Sequence, residues 1–263
     1  MWYQNASEFK KTSGHEINGI WYPRVTKILD VKAKPALEHF FREMESFAAA
    51  DEVKNKSAIE GTLVHETIQG LLTGKAVTVP EEIRPSVEGF NEFNAERNIV
   101  FYKEYVERQV ISSRHRYAGT VDALATIDGK FGVLDIKTSV GFYPEYNLQT
   151  AAYVMALQEF SVKRELALPR DIETRWILRI NQHRICRGCS ATMREKGGRI
   201  KVKESRSKSS CPDAALEWGA LEGDIALKEF PYFYKDMKAF VAAKTLWEWE
   251  NEYWLKKVGY LQG

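Results

Sequence analysis

The sequence predicts an α/β fold of three layers, in which a mixed sheet of about four to six strands lies between helices. The first indication is a β-hairpin, because two runs rich in Val, Ile, Leu, Thr and Ala, at 117–127 and 131–139, flank an Asp-Gly pair. Two further runs of strand type occur at 175–180 and 224–230, and they are predicted to pair with each other. The third indication is that apolar residues with helical spacing precede and follow the hairpin.

The region before the hairpin is predicted to hold a helix over residues 35–73, beginning at Pro35, which suits the first helical position. His65 lies beside the apolar stripe of this helix, which is formed by Val64, Ile68 and Leu71. A histidine in that place is either a hydrogen-bonded residue at the edge of the core or a ligand, and the residue alone leaves both open. A strand is predicted to follow near residues 99–112.

The Asp-Gly turn sets the register of the predicted hairpin. With Asp128 and Gly129 as the two loop residues, Asp122 faces Asp135 on the partner strand, and opposed Cβ atoms lie roughly 5 Å apart. Lys137 shares the face of Asp135, because strand side chains alternate. Taken alone, such residues on a half-exposed strand are usually a solvated face. Two opposed carboxylates repel each other unless a cation lies between them, however, and the trio therefore also indicates a divalent metal site.

The chain after the hairpin predicts a helix near residues 147–160. Gln149 and Tyr153 lie four residues apart on it and project from one face, although a tyrosine on an Ala-rich helix is commonly a core residue. A long amphipathic helix is predicted after Pro231, up to residue 257. Its tryptophans could stack on bases, but aromatic residues at helical spacing are more often core.

A basic segment lies between the last two predicted strands. Residues 184–210 hold nine Lys or Arg but two Glu, whereas the whole chain has a formal charge of +2, so the rest is net negative. The segment is predicted to be an insertion, at 184–222, that projects from the sheet. Such a run is usually a solvated loop, and it also suits phosphate contacts. The candidate DNA-binding residues are Arg194, Lys196, Arg199, Lys201 and Lys203.

All three cysteines of the chain, Cys186, Cys189 and Cys211, lie in or next to this segment. Cys-x-x-Cys followed by a Gly-Gly turn resembles half of a zinc ribbon, and His183 could complete a Cys₃His set. A tetrahedral zinc ion would explain how a polar insertion stays folded without a hydrophobic core. Unliganded free thiols are the alternative, and both interpretations stay open.

Length and composition agree with one domain over residues 1–263. With 44% hydrophobic and 12% aromatic residues, the chain can form a sizeable core. No apolar run approaches the roughly 20 residues that a membrane span needs, so no membrane partner is expected. The first residues lack the basic and then apolar pattern of a signal peptide, and a cytoplasmic location is therefore expected.

Taken in order, these motifs resemble the RecB-type branch of the PD-(D/E)XK nuclease superfamily. The pattern of that branch is Gly-x-x-x-His, Gly-x-x-Asp, Asp-x-Lys and Gln-x-x-x-Tyr, and the matching residues are Gly61 and His65, Gly119 and Asp122, Asp135 and Lys137, and Gln149 and Tyr153. Each motif is weak, but the ordered set is specific. Residues 22–29 also look like the opening of phage-type and mitochondrial genome maintenance exonucleases. The proline that gives the superfamily its name is Val121 here, and the RecB branch commonly lacks it.

The resemblance implies a restriction-endonuclease-like core and a site for one or two ions of Mg²⁺ or Mn²⁺. The implied metal ligands are His65, Asp122, Asp135 and the backbone carbonyl of Ile136. Lys137 would position or help to deprotonate the attacking water, with an electrostatic role favoured. Gln149 and Tyr153 would orient Lys137 or contact the DNA backbone. Glu66 and Glu107 are near enough in sequence to contribute, but neither is assigned to the site.

The activity that the resemblance implies is metal-dependent hydrolysis of DNA, with an exonuclease acting on single strands or duplex ends favoured, in recombination, repair or replication. An endonuclease of the same fold and a catalytically inactive DNA-binding module are the alternatives. Some RecB-type nucleases build an iron-sulfur cluster from one cysteine before the nuclease core and three after it. This chain has no cysteine before Cys186, so no iron-sulfur cluster is expected.

Overall fold

The structure is a computed structural model that describes residues 3–204, 211–212 and 216–262. Its strands are β1 (Gly14–Ile17), β2 (Ile20–Pro23), β3 (Val100–Phe101), β4 (Arg108–Ser112), β5 (Tyr117–Val121), β6 (Ala123–Ile127), β7 (Lys130–Lys137), β8 (Thr174–Cys186), β9 (Thr192–Lys196), β10 (Arg199–Lys203) and β11 (Trp218–Glu229). Its helices are α1 (Ala6–Ser13), α2 (Val25–Ile28), α3 (Pro35–Glu43), α4 (Phe47–Leu72), α5 (Arg84–Arg97), α6 (Pro144–Leu157), α7 (Phe160–Leu166), α8 (Tyr234–Glu250) and α9 (Glu252–Lys257). Short 3₁₀ turns occur at Leu29–Val31, Glu81–Ile83 and Lys103–Tyr105.

The central sheet is mixed. Within the described part of the chain it has seven strands in the order β10-β9-β8-β7-β6-β3, with β11 paired to β8 as well. The β7–β8 pair is parallel and the other pairs are antiparallel. The β8–β11 pair confirms the predicted partnership of residues 175–180 with 224–230. Two separate ribbons, β1–β2 and β4–β5, stand beside this sheet.

Helices cover both faces of the sheet. Phe131 and Val133 of β7 belong to one apolar cluster, which is completed by residues of α6 and α8. Leu134 and Ile136 of the same strand belong to another cluster, which is completed by residues of α4 and α5. The alternation of these side chains along β7 follows from the period of two in a strand. The predicted α/β fold with a mixed sheet flanked by helices is confirmed.

The turn of the β6–β7 hairpin has the predicted register. Ala123 pairs with Leu134 and Ile127 with Lys130, which leaves Asp128 and Gly129 as the loop. Their φ angles of 51° and 79° are those of a type I′ turn, whose twist matches that of the flanking strands. The register that was predicted from the Asp-Gly pair is therefore confirmed.

Three predicted elements are interrupted. The helix predicted over 35–73 consists of α3 and α4, because Ser46 caps a new helix by accepting a hydrogen bond from the Ala49 amide. The strand predicted over 99–112 consists of β3, a 3₁₀ turn and β4. The strand predicted over 117–127 bends at Asp122, so that β5 pairs with β4 while β6 pairs with β7.

The basic segment extends the sheet, and the prediction of four to six strands was too low for this reason. β9 and β10, residues 192–203, form a hairpin that we call the basic hairpin. One edge of β8 is occupied by β11. Along the other edge, β7 pairs with residues 174–179 of β8, and β9 pairs with Arg184 and Ile185 later in the same strand. β7 and β9 therefore follow one another along a single edge of β8.

The region beyond the sheet ends in α8 and α9, where a single long helix was predicted. Trp247 is buried in the core, whereas Trp249 is 74% exposed. Across residues 3–204, 211–212 and 216–262, each helix is too short or too polar to cross a bilayer.

Candidate active site

Asp122 lies at the bend between β5 and β6. Its Oδ2 accepts a hydrogen bond from the Ile136 amide at 2.6 Å, which ties it to the end of β7. The next pair beyond Ala123 and Leu134 in the hairpin register is Asp122 and Asp135. The carboxylates of Asp122 and Asp135, which were predicted to face each other, are therefore neighbours at the bend where the chain passes from β5, paired with β4, to β6, paired with β7.

Asp135 points from β7 toward α6 and is fully buried. Its Oδ1 accepts a hydrogen bond from Gln149 Nε2 at 3.1 Å. Its Oδ2 forms an ion pair with Lys137 Nζ at 2.7 Å. Burial raises the pKa of Asp135 to about 7 against the attraction of Lys137, and the Asp122 carboxylate adds to the rise. Lys137 alone therefore does not offset the burial of Asp135 beside Asp122, and a cation in this place would favour the ionised carboxylate.

His65 reaches the site from α4. Its Nε2 donates to the carbonyl oxygen of Ile136 at 2.7 Å, so two of the predicted metal ligands are adjacent. Gly61, one turn earlier, allows this approach, because a Cβ at that position would lie 2.8 Å from Thr138 Oγ1. Burial lowers the pKa of His65 more than the Asp122 carboxylate raises it, so the imidazole stays neutral and able to ligate.

Glu107 is a further candidate for the site, to which the sequence motifs did not assign it. Ligand atoms of His65, Glu107 and Asp122 all lie within 4.8 Å of one another, and Asp135 is not part of that group. Burial, together with the Asp122 carboxylate, raises the pKa of Glu107 to about 7. Glu66, the other acid that was considered, is exposed on α4.

The signal that could have found Glu107 is the register of the β4–β5 ribbon. Arg108 pairs with Val121, so Glu107 stands next to Asp122, and the Glu107 amide donates to the Asp122 carbonyl at 3.0 Å. Glu107 also has a φ of 52°, in the left-handed region that non-glycine residues seldom adopt. Recognition of residues 113–116 as a turn would have placed Glu107 opposite Asp122.

Lys137 ends β7 on the same face as Asp135. Burial acts to lower its pKa, but the carboxylates of Asp135 and Asp122 outweigh burial, and the net pKa is raised. Its Nζ lies 5.2 Å from the ring centre of Tyr146, where the ring face adds a cation–π contact. The ammonium is therefore retained, in agreement with an electrostatic role rather than that of a base.

Gln149 and Tyr153 lie together on α6, as predicted. Gln149 Nε2 donates to Tyr153 Oη at 2.9 Å and to Asp135, so Gln149 orients Asp135 and not Lys137. Tyr153 is 2% exposed. Gly119 makes room for it, because a Cβ on Gly119 would lie 2.5 Å from the Tyr153 ring. The glycines of two motifs therefore allow the helices that carry the polar residues to approach the sheet.

The basic hairpin reaches the end of β7. Arg194 and Lys196 both donate to the Thr138 carbonyl, at 2.9 Å and 2.5 Å, next to Lys137. Burial, with the Arg194 guanidinium, lowers the pKa of Lys196 to about 8. Arg199 and Lys201 instead contact Glu43 of α3, at 2.7 Å and 3.3 Å. The remaining candidate, Lys203, is exposed.

The three cysteines converge, but His183 does not join them. The sulfur atoms of Cys186, Cys189 and Cys211 lie within 4.8 Å of one another. His183 instead lies 3.5 Å from carboxylate oxygens of both Glu222 and Asp224 on the neighbouring strand β11. The prediction of His183 as a fourth ligand was therefore wrong.

The turn that holds Cys186 and Cys189 provides backbone amides that donate hydrogen bonds to the Cys186 sulfur. Hydrogen bonds from the backbone amides of Cys189 and Gly188 outweigh burial and lower the pKa of Cys186 to about 7. A thiolate is thereby favoured at this position. Residues 205–210 and 213–215, within the predicted 184–222 insertion, lie outside the described residues.

The donor set at the end of β7 fits a hard divalent cation. It offers carboxylate oxygens of Asp122 and Glu107, the Ile136 carbonyl and a neutral imidazole, with the carboxylate of Asp135 nearby. Oxygen ligands of this kind suit Mg²⁺ and Mn²⁺. Two acids with raised pKa beside a third carboxylate show an excess of negative charge that such a cation would neutralise. Neither a protein-family model nor a curated protein sequence matches the chain.

Proposed function

We propose that this protein is a divalent-metal-dependent DNA nuclease of the RecB-type PD-(D/E)XK kind. One observation carries the proposal: the chain gathers His65, Glu107, Asp122, Asp135 and Lys137 at the end of β7 from elements that are distant in sequence. A solvated face would not need a fully buried carboxylate that pairs with a lysine and lies beside a second carboxylate. The geometry supports a site in which acids and an amine act together.

The ion would be Mg²⁺ or Mn²⁺, held by His65, Glu107, Asp122 and the Ile136 carbonyl, with Asp135 close by. When bound, it would lower the pKa of water and neutralise charge on the scissile phosphate. Hydrolysis forms a bond from the water oxygen to phosphorus and breaks one phosphorus–oxygen ester bond, and the leaving oxygen takes up a proton. The protein must therefore hold phosphate, water and positive charge in one place.

The residues of the chain divide this work. Lys137 presents a retained positive charge, which suits the oxygens of a pentacoordinate phosphate. Gln149 fixes the plane of the Asp135 carboxylate and is itself bonded to Tyr153. The neutral His65 offers a nitrogen lone pair once its contact with Ile136 is exchanged for an ion. Arg194 and Lys196 add positive charge on the side of the basic hairpin.

An exonuclease that acts on single strands or duplex ends is favoured, because the motifs resemble those of phage-type and mitochondrial maintenance exonucleases. An endonuclease of the same fold is the alternative within the enzyme class. A catalytically inactive DNA-binding module is disfavoured, because an anionic group of three carboxylates repels phosphates unless it holds a cation.

The test is digestion of three DNA substrates side by side: end-labelled linear duplex, covalently closed circular duplex and a single-stranded oligonucleotide. With Mg²⁺ or Mn²⁺ the wild-type protein is expected to release nucleotides from free ends, and chelation is expected to stop it. Lys137→Ala should lose about three orders of magnitude in rate. Asp128→Asn is the matched control, because Asn tolerates the left-handed turn position at φ 51° and lies at the far end of the hairpin.

The outcomes of this digestion distinguish the proposed exonuclease from an inactive protein, from an enzyme with another site and from an endonuclease. Wild-type inactivity on all three substrates with both ions would reject the enzyme, and activity that survives Lys137→Ala would reject the site. Cutting of the closed circle would favour the endonuclease, whereas a strict requirement for an end would exclude it.

A further inference from the structure

The three cysteines form a compact group at the base of the basic hairpin. Cys186 ends β8, Cys189 lies in the turn after it, and Cys211 follows the hairpin. Cys186 and Cys189 are 1% and 4% exposed. Among the residues that the structure describes, no histidine or carboxylate joins the three sulfurs. The group is thus separate from the site of His65, Glu107, Asp122 and the Ile136 carbonyl at the end of β7, which we call the oxygen-lined site.

The backbone is shaped for this convergence. A Cβ on Gly188 would lie 2.9 Å from the Cys211 sulfur, so a glycine there lets Cys211 approach the turn. The turn is closed by hydrogen bonds from the Ser190 amide to the Cys186 carbonyl, at 3.0 Å, and from the Cys186 amide to the Ala191 carbonyl, at 2.8 Å. Ser190 takes a φ of 61°, which is unusual for serine. The sulfurs therefore meet because of the main chain and not only because of side-chain rotation.

Apolar packing around this group is small in scale. The described residues that pack with the three cysteines are Ala191, Leu216 and Trp218. So small a cluster supplies little free energy toward ordering the polar hairpin above it. Cross-linking by a metal ion is the usual substitute for a core in a segment of this kind.

The sulfur ligands select the kind of ion. Thiolates are soft ligands that bind zinc in preference to Mg²⁺ or Mn²⁺. Zn–S bonds of about 2.3 Å at tetrahedral angles put sulfur atoms about 3.8 Å apart. A group in which the sulfurs already lie within 4.8 Å of one another needs only small side-chain adjustments to reach that spacing.

We propose that Cys186, Cys189 and Cys211 bind one zinc ion, and that this ion fixes the basic hairpin so that Arg194 and Lys196 stand beside Lys137. β9 begins at Thr192, three residues after Cys189, and further along the same strand Arg194 and Lys196 hold the Thr138 carbonyl. The ion therefore anchors one end of a strand whose other end meets the oxygen-lined site. The consequence for DNA rests on the proposed nuclease function, whereas the zinc site does not.

The zinc site is tested by metal analysis of the full chain, purified without chelator. About one zinc per chain is expected, and Cys189→Ser is expected to lower the zinc content about tenfold or more. His183→Gln and Asp122→Asn are the controls and should keep the wild-type content, since His183 faces Glu222 and Asp224 and Asp122 belongs to the other site. Zinc-free wild-type protein, iron in place of zinc, or zinc lost from His183→Gln overturns the proposal.

A second measurement covers the case in which Cys189→Ser does not fold. Cobalt added to the metal-stripped wild-type chain should give the sulfur-to-cobalt charge-transfer absorption of a thiolate site, and zinc should abolish it. The cysteines should react with a thiol reagent only after the zinc has been removed. Absence of the cobalt absorption, or equal thiol reactivity with and without zinc, counts against the site.

The positioning role is tested by hydrogen exchange and by DNA binding with Ca²⁺ in place of Mg²⁺. Zinc removal should speed exchange of the 192–203 amides about tenfold or more and leave the β7 amides unchanged. Binding of a labelled single-stranded oligonucleotide should weaken to the level of Arg194→Gln. Unchanged exchange in the hairpin overturns the positioning role. Zinc-loaded protein with a protected hairpin that neither binds nor cuts DNA would refute the nuclease proposal and leave the zinc site standing.

Discussion

The oxygen-lined site and the cysteine group differ in how the chain brings their ligands together. Residues between 65 and 135 reach the oxygen-lined site from separate elements, and two apolar clusters hold those elements against the sheet. The cysteines come from one segment, and only a few of the described apolar side chains pack around them. We expect the site built by the core to keep its shape without an ion, and the segment that carries the cysteines to be ordered more firmly when an ion is bound. Substitutions of the ligand side chains should therefore separate activity from stability at the first site only.

The largest effect is expected from Asp135→Asn. Loss of the carboxylate should lower the rate of DNA hydrolysis by about three orders of magnitude, which is about 4 kcal/mol in the activation free energy. The midpoint of thermal unfolding should change little, because a buried carboxylate with a pKa raised to about 7 is replaced by a neutral amide, while Asp122 still balances the Lys137 ammonium. Nuclease assays and thermal melts of the same preparations measure both. A large fall in melting temperature would show that Asp135 holds the fold together and would break the comparison.

Glu107→Gln should come next, with a loss of about ten- to a hundredfold in rate. The reason is that ligand atoms of Glu107, His65 and Asp122 lie within 4.8 Å of one another, close enough to bind one ion. A higher Mn²⁺ concentration should restore part of the activity, because the substitution weakens ion binding. Glu104→Gln, on the neighbouring 3₁₀ turn, is the matched control and should behave as wild type. Equal activities of the two variants would remove Glu107 from the site.

Gly61→Ala should lower the rate about tenfold and also destabilise the fold, because the added Cβ would meet Thr138 Oγ1 at 2.8 Å and push α4 away from β7. Gly141→Ala is its control, since a Cβ there meets nothing within 4 Å. Kinetics and thermal melts are compared for both. If Gly61→Ala matches Gly141→Ala, the close approach of α4 is not what delivers His65.

The smallest effect concerns the far end of the basic hairpin. Hydrogen bonds from Arg199 and Lys201 lower the pKa of Glu43 from 4.5 to about 2. A depressed folded-state pKa means that this contact is fully present above pH 4.5 and is lost as the pH falls toward 2. Hydrogen exchange of residues 192–203, corrected for intrinsic rates, should therefore rise modestly between pH 5 and pH 3. Glu43→Gln should show the faster exchange at both pH values, and a wild-type rise that persists in Glu43→Gln would assign it to another group.

The sequence predicted most of what the hairpin and the motifs determine locally. The turn residues fixed the β6–β7 register, and the spacing of Gln149 and Tyr153 placed them on one helical face. Gly61 and Gly119 were part of the matched motifs, although their role in letting helices approach the sheet required the structure. Local pattern and local geometry agree in this part of the molecule.

The sequence did not predict features that depend on long-range pairing. Glu107 enters the site through the register of β4 against β5, which depends on a turn at 113–116 that carries no strong signal. His183 has the right spacing for a zinc ligand, but its place on β8 turns it toward the carboxylates of β11. The basic hairpin joins the sheet because β8 continues beyond β7 and offers a free edge there. In each case the partner strand, and not the residue type, decides the outcome.

The type I′ turn at Asp128 and Gly129 has a consequence for how this chain can change over generations. Because side chains alternate along a strand, adding or removing one residue within 130–134 would present Leu134 or Ile136 where the acid of β7 now stands. Point substitutions in these strands can be neutral, but single-residue insertions and deletions within the strands cannot. Asp135 stands thirteen positions after Asp122, and in active relatives a change in that number is expected in the turn, where a longer loop keeps the strand pairing.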